Sequence, residues 1–220
     1  MKTLALALLA ALAAATSVYS QAAPAAGASA AAQTKQSGGL TKEERDRAIE
    51  YLKQTQQEFV AALEGVSDEQ WKFKAAPERW SIAETAEHIA VAEDLIWDLV
   101  SNKMMKSPAT PERRAEVQGK EEMIMKMIPD RSRKANAPEQ LHPTGRWATK
   151  AELVKHFQEA RAKEIAFLAE TKEDLRSHID DHPFLKAMDA WQWFIFNGAH
   201  GKRHTAQILE VKADQNYPKS

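Results

Sequence analysis

The apolar positions of the chain fall into four stripes of helical period, separated by polar or proline-rich stretches. Ile49, Leu52, Phe59 and Leu63, with Thr55 and Gln56 between them, form the first, and Gly65 stops it. Thr41-Lys42-Glu43-Glu44 precedes it as a capping box, in which the Thr41 hydroxyl accepts from the third helical N–H while Glu44 returns to the cap. A second box, Ser81-Ile82-Ala83-Glu84, opens a stretch in which Ile82, Ile89, Ile96, Leu99 and Val100 recur to about Asn102. Thr149-Lys150-Ala151-Glu152 opens the third helix, which carries Leu153, Phe157, Ile165 and Leu168 and should end near Lys172. The fourth follows Pro183, from about Lys186 to Val211. Its Trp191, Trp193, Phe194, Ile195 and Phe196 are apolar nearly all round, so its first half is predicted to be the most buried. No segment alternates with period two beside turn signals, so no sheet is expected. Four long helices of this kind predict an all-α four-helix bundle.

Between the second and third helices, residues 103–147 contain Pro108, Pro111, Pro129, Pro138 and Pro143, too many breaks for one long helix. A short helix from about Gly119 to Ile128 is expected inside this insert. A crossover of such length predicts a lid over one end of the bundle or a partly disordered loop. Met123, Met125 and Met127 offer thioethers of the kind that bind copper(I). Because Met123 and Met127 share a helix face with Ile124 and Ile128 beside them, a small amphipathic lid is the better reading.

The N-terminal residues read differently. Lys2, the apolar run from Leu4 to Ala15 and then Val18-Tyr19-Ser20 have the order of a secretory signal peptide, with cleavage expected after Ser20. The run is too short for a good membrane span. Residues 21–39 are mostly Ala, Gly, Ser and Gln, a composition that cannot bury enough apolar surface to offset ordering entropy. The expected organisation is a leader at 1–20, a linker at 21–39 and a helical domain at 40–213. The protein would be exported, periplasmic or secreted, with no membrane attachment after cleavage.

Composition narrows the chemistry. Thirty Lys and Arg against thirty-one Asp and Glu give a formal charge of −1, which removes any global electrostatic reason to expect nucleic acid. Cysteine is absent, so disulfides, thiolate zinc sites, iron–sulfur clusters and a cysteine nucleophile are excluded together. A metal ion must be held by His, carboxylate or Met. His200 and His204 stand four apart in the fourth helix, so both imidazoles leave one face about one turn apart and can share an ion. Spacing of this kind also arises often by chance. Two ligands need a third, and an antiparallel or crossover arrangement could place His88 of the second helix opposite the pair. Three neutral imidazoles leave a coordination position open, as reactive sites do, whereas a sealed structural zinc site would want a fourth protein ligand. Gly201 occupies the position where a zinc-protease helix carries its glutamate base. A di-iron carboxylate bundle needs Glu-x-x-His on two helices, and the only such spacing, Glu139 to His142, lies in a proline-bounded loop.

Trp80-Ser81-Ile82-Ala83-Glu84-Thr85-Ala86-Glu87-His88-Ile89, His182-Pro183, and His200-Gly201-Lys202-Arg203-His204-Thr205-Ala206-Gln207-Ile208 together resemble the DinB-like superfamily of four-helix metal-binding proteins. The resemblance spans about Leu40 to Val211. It implies that His88, His200 and His204 bind one divalent metal ion, and imidazole suits zinc and nickel alike. It further implies a metal-dependent hydrolase or a group transferase, thiol transfer included, acting on a small-molecule substrate. The competing reading is a non-catalytic module that binds metal or a small ligand. No nucleic acid is implied as partner, and monomer and homodimer are both open. Export and the long insert depart from the commoner pattern of the family, and export counts against a cytosolic thiol as cosubstrate.

Glu84, one turn before His88, could orient the second ring nitrogen of that histidine or act as a base, but its capping role is favoured. Asn197 and Gln207 flank the histidine pair at three-residue distance and could support it. Trp71 and Trp80 bracket the loop before the second helix, where large aromatics usually plug a core. His142, His156, His178 and His182 are not expected in the site.

Overall fold

The computed structural model of the chain describes residues 39–132 and 136–219. The expected leader and all of the linker but its last residue lie outside the described residues. The elements in order are α1 (Lys42–Leu63), α2 (Asp68–Lys72), α3 (Ile82–Asp98), α4 (Arg114–Val117), α5 (Lys120–Met127), α6 (Lys150–Glu170), β1 (Ile179–His182), β2 (Lys186–Asp189) and α7 (Ala190–Lys212). A π-helical stretch, Leu99–Met104, continues α3. Among the described residues no helix is long and apolar enough to cross a membrane.

Side-chain caps set most helix starts. Thr41 with Glu44, Ser67 with Gln70, Ser81 with Glu84 and Asp189 with Gln192 form complete capping boxes. Thr149 makes half of the expected one: its hydroxyl accepts from the Glu152 N–H.

The four long helices form the bundle. α1 packs on α6 and α7, and α3 packs on the same two, so α1 stands diagonal to α3 and α6 diagonal to α7. Trp191 Nε1 donates to the Glu44 carbonyl and Lys212 Nζ to the Ala62 carbonyl, so α1 and α7 run parallel. His156 meets Asp94 and Phe167 meets Trp97, so α3 and α6 are parallel too. Arg45, near the start of α1, reaches the Leu168 and Thr171 carbonyls at the end of α6, which makes that pair antiparallel. A chain that leaves α3 and enters a parallel neighbour must return the length of the bundle, about 30 Å for a twenty-residue helix. That return is what the long insert does.

The insert therefore covers a side of the bundle and is not a lid over one end. α5 lies on α7. Its inward residue is the fully buried Ile124, with Met125 and Ile128 packed beside the core, while Met123 and Met127 face solvent.

The expectation of no sheet is corrected by a small antiparallel hairpin, in which Ile179 faces Asp189 and His182 faces Lys186. It takes residues 186–189 from the start predicted for the fourth helix, which begins at Ala190 once Asp189 caps it. Lys186, with φ +60°, occupies the left-handed position after the turn 183–185 that glycine usually fills.

Two apolar clusters build the core. One gathers Leu52, Ile96, Val100, Leu168, Trp191, Phe194 and Ile195; the other gathers Phe59, Ile82, Ile89, Leu153, Phe157 and Ile208. A buried polar network joins all four helices: Arg161 of α6 pairs with Glu93 of α3 and donates to the Leu52 carbonyl and Thr55 hydroxyl of α1. Asn197 of α7 donates to Glu164 at 2.8 Å.

Candidate metal centre

Antiparallel packing of α3 on α7 sets the site. His88 points from the buried face of α3, and His200 and His204 leave α7 one turn apart. The Nε2 atom of His88 lies 3.1 Å from that of His200 and 3.2 Å from that of His204. The three predicted residues thus converge on one point through one atom each.

The other ring nitrogens decide what those three atoms are. His88 Nδ1 lies 2.9 Å from the Leu141 carbonyl oxygen, which can only accept, so the proton is on Nδ1 and Nε2 keeps a bare lone pair. His204 Nδ1 donates to Gln207 Oε1 at 3.0 Å. Arg131 donates to the same amide oxygen at 3.3 Å, which fixes the orientation of the amide. Two lone pairs at 3.2 Å repel unless a cation lies between them. His200 Nδ1 is buried without a hydrogen-bond partner.

Burial holds all three imidazoles neutral. It lowers His88 despite the Leu141 carbonyl, takes His204 down to about 3 with the help of His88, and places His200 well below the ordinary range beside the other two rings. Neutral imidazole is the form that binds metal. Bonds of about 2.0–2.1 Å to a tetrahedral ion separate ligand nitrogens by roughly 3.3 Å, close to the spacing found. The cluster fits metal binding.

Aromatic rings border it. Trp80 lies 4.9 Å from His88, so it adjoins the centre and is more than a core plug. Phe196 stacks on His200 with centroids 6.0 Å apart, and His182 lies 4.9 Å from Phe196. Of the residues left open by the sequence, Gln207 supports His204, whereas Asn197 turns into the core network. Glu84 does not orient His88. It closes the Ser81 box and pairs with Lys74 at 3.0 Å; burial alone would raise its carboxyl, but the Ser81 N–H and Lys74 hold it below its ordinary value. His156 has a partner the sequence did not reveal, Asp94, and His178 donates to the Met104 carbonyl. The Leu141 carbonyl escaped sequence reading because a main-chain acceptor has no residue signature.

Residues 51–208 match the model of the DinB superfamily. An uncharacterized protein of Bacillus subtilis (strain 168), YuaE, is 29% identical over 150 residues, which are 68% of this chain and 88% of that protein. YfiT from Bacillus subtilis, described as a probable metal-dependent hydrolase with an unusual four-helix bundle topology, shares the fold. Its TM-score is 0.50 at 15% identity, covering 82% of this chain and 92% of that one.

Proposed function

Because the chain belongs to the DinB superfamily, we propose that it holds one divalent ion, zinc or nickel, at His88, His200 and His204 and uses it for hydrolysis or group transfer on a small molecule. The observation that carries this reading is the pair of proton-free Nε2 atoms of His88 and His204 facing each other at 3.2 Å. An ion held there supplies a Lewis acid that polarises a substrate oxygen or lowers the pKa of water or a thiol. The chain's own residues do the positioning. The Leu141 carbonyl and Gln207 fix two rings, and Trp80 borders His88 as Phe196 borders His200. Three neutral ligands leave the charge of the ion uncompensated, which favours reaction over a purely structural role.

A non-catalytic binding module is the second reading. It is favoured by Glu84 and Glu87, the carboxylates nearest His88 in sequence, both of which are committed to other partners. Elemental analysis of the purified chain should find near-stoichiometric metal, lost in His204→Ala; equal metal in both would dismiss the site. Turnover of ester, amide or thiol-transfer substrates that disappears in His88→Ala supports the enzyme, and bound metal without turnover supports the module.

We also propose export, supported by the order of Lys2, the apolar run and Val18-Tyr19-Ser20. Mass spectrometry of protein from its native host should find a mature chain lacking the leader, and Met1 retained on protein from the cytoplasm would contradict it.

A further inference from the structure

Glu87 is buried, and its carboxylate is filled by one short piece of the insert. Oε1 accepts from the Thr144 N–H at 2.6 Å, the Thr144 hydroxyl at 3.2 Å and the Arg146 N–H at 3.2 Å, and Oε2 accepts from the Gly145 N–H at 2.9 Å. Three successive N–H groups aimed at one carboxylate make a concave anion seat. Its shape depends on Gly145, whose φ of +78° is left-handed.

The same piece of chain supports the centre. Leu141, whose carbonyl fixes the His88 tautomer, lies three residues before Thr144, between Pro138 and Pro143. This strap is stiff: Leu141 N–H and His142 N–H close a tight turn on the Pro138 and Glu139 carbonyls, and the His142 ring returns to the Ala137 carbonyl. It therefore meets α3 at two adjacent residues, with Glu87 gripping residues 144–146 and His88 taking the carbonyl of 141.

The three imidazoles are held unequally. Gln207 supports His204 from within α7, His200 Nδ1 has no partner, and His88 alone hydrogen-bonds directly to a remote segment. We infer that Glu87 is a positioning residue that latches the strap so that the Leu141 carbonyl presents His88 Nε2 to the ion, making strap docking and metal affinity linked equilibria. This rests on the metal reading above. Linkage is reciprocal, so the bound ion should tighten the strap by the factor through which the strap tightens the ion.

Zinc binding to the full chain, measured by competition with a chromophoric chelator, tests the latch. Glu87→Gln should weaken zinc about 10–100-fold, the usual effect of losing a group that orients a metal-bound histidine, with the helical circular dichroism unchanged. Gly145→Val acts from the other side, since its backbone is strained although no atom lies within 4 Å of an added Cβ. It should weaken zinc in the same direction, and it is the deciding variant if Glu87→Gln does not fold. Hydrogen exchange supplies a readout that a merely structural role would leave still: zinc should slow exchange at Thr144, Gly145 and Arg146 in the wild type and not in Glu87→Gln. Wild-type affinity in folded variants, or exchange at 144–146 indifferent to zinc, overturns the latch while the metal centre stands. A wild type that binds no zinc and no nickel overturns the centre, and the latch with it.

Discussion

Arg161 carries one positive charge and faces two buried carboxylates, Glu93 and Glu164, which it cannot neutralise together. Its fork is given to Glu93, with Nη2 at 2.7 Å from Oε2, while Glu164 Oε2 lies 3.7 Å from Nε without a hydrogen bond. Burial, and then the charge of Glu93, raise the Glu164 carboxyl well above its ordinary value, against the pull of Arg161 and Asn197. Thr55 and Tyr51 of α1 complete the surroundings of Arg161. A carboxyl of this kind keeps a proton that the unfolded chain releases near pH 4.3. Its contribution is therefore full below that value and lost as pH rises toward the folded pKa. Glu164→Gln keeps the neutral shape at every pH. Denaturant unfolding should show wild type losing stability relative to Glu164→Gln as pH rises above about 4.3, the unfolded value, and parallel profiles would contradict a protonated Glu164. The positions were legible in the sequence, because 153, 157, 161, 164 and 168 form one helical stripe. Their chemistry was not, since periodicity identifies the inward face and apolar residues alone were read from it.

Two glycines of α7 make opposite use of the same missing side chain. A Cβ on Gly198 would lie 2.9 Å from Tyr51 Cδ1 and 3.0 Å from Cε1, so this glycine lets α1 approach α7. A Cβ on Gly201 would find only Arg161 Nη2 at 3.9 Å. Gly201→Ala should raise stability by at most about 1 kcal/mol, the helix-propensity difference. Gly198→Ala should lower it by about 1–3 kcal/mol through overpacking. Thermal unfolding of the two variants checks both signs, and a stabilised Gly198→Ala would mean the Tyr51 ring yields freely. At this scale the long helices were readable from caps and spacing, and so was α5. The hairpin was hidden because its strands are four residues each and β1, Ile-Asp-Asp-His, has no apolar alternation. β2 is buried at Ala187, Met188 and Asp189 for a tertiary reason, its packing against α4 as well as α7.

For the whole molecule, a bundle and its three histidines were legible, and the order of the helices around the bundle was not. An apolar stripe says that a helix has neighbours but not which ones they are. The clue was the length of the 103–147 insert, which suits a return between parallel helices and is far longer than a link between antiparallel neighbours requires. That α1 packs on the two helices made last, α6 and α7, also sets a timetable. Arg45 waits 123 positions for the Leu168 carbonyl, Glu44 waits 147 for Trp191, and Ala62 waits 150 for Lys212. At 5–20 residues per second, the ribosome needs about 6–30 s to deliver those partners. Until α6 and α7 have emerged the apolar stripe of α1 lacks both of its neighbours, so the bundle closes only after α7 has been made, and until then the growing chain is a client for whatever holds unfolded protein.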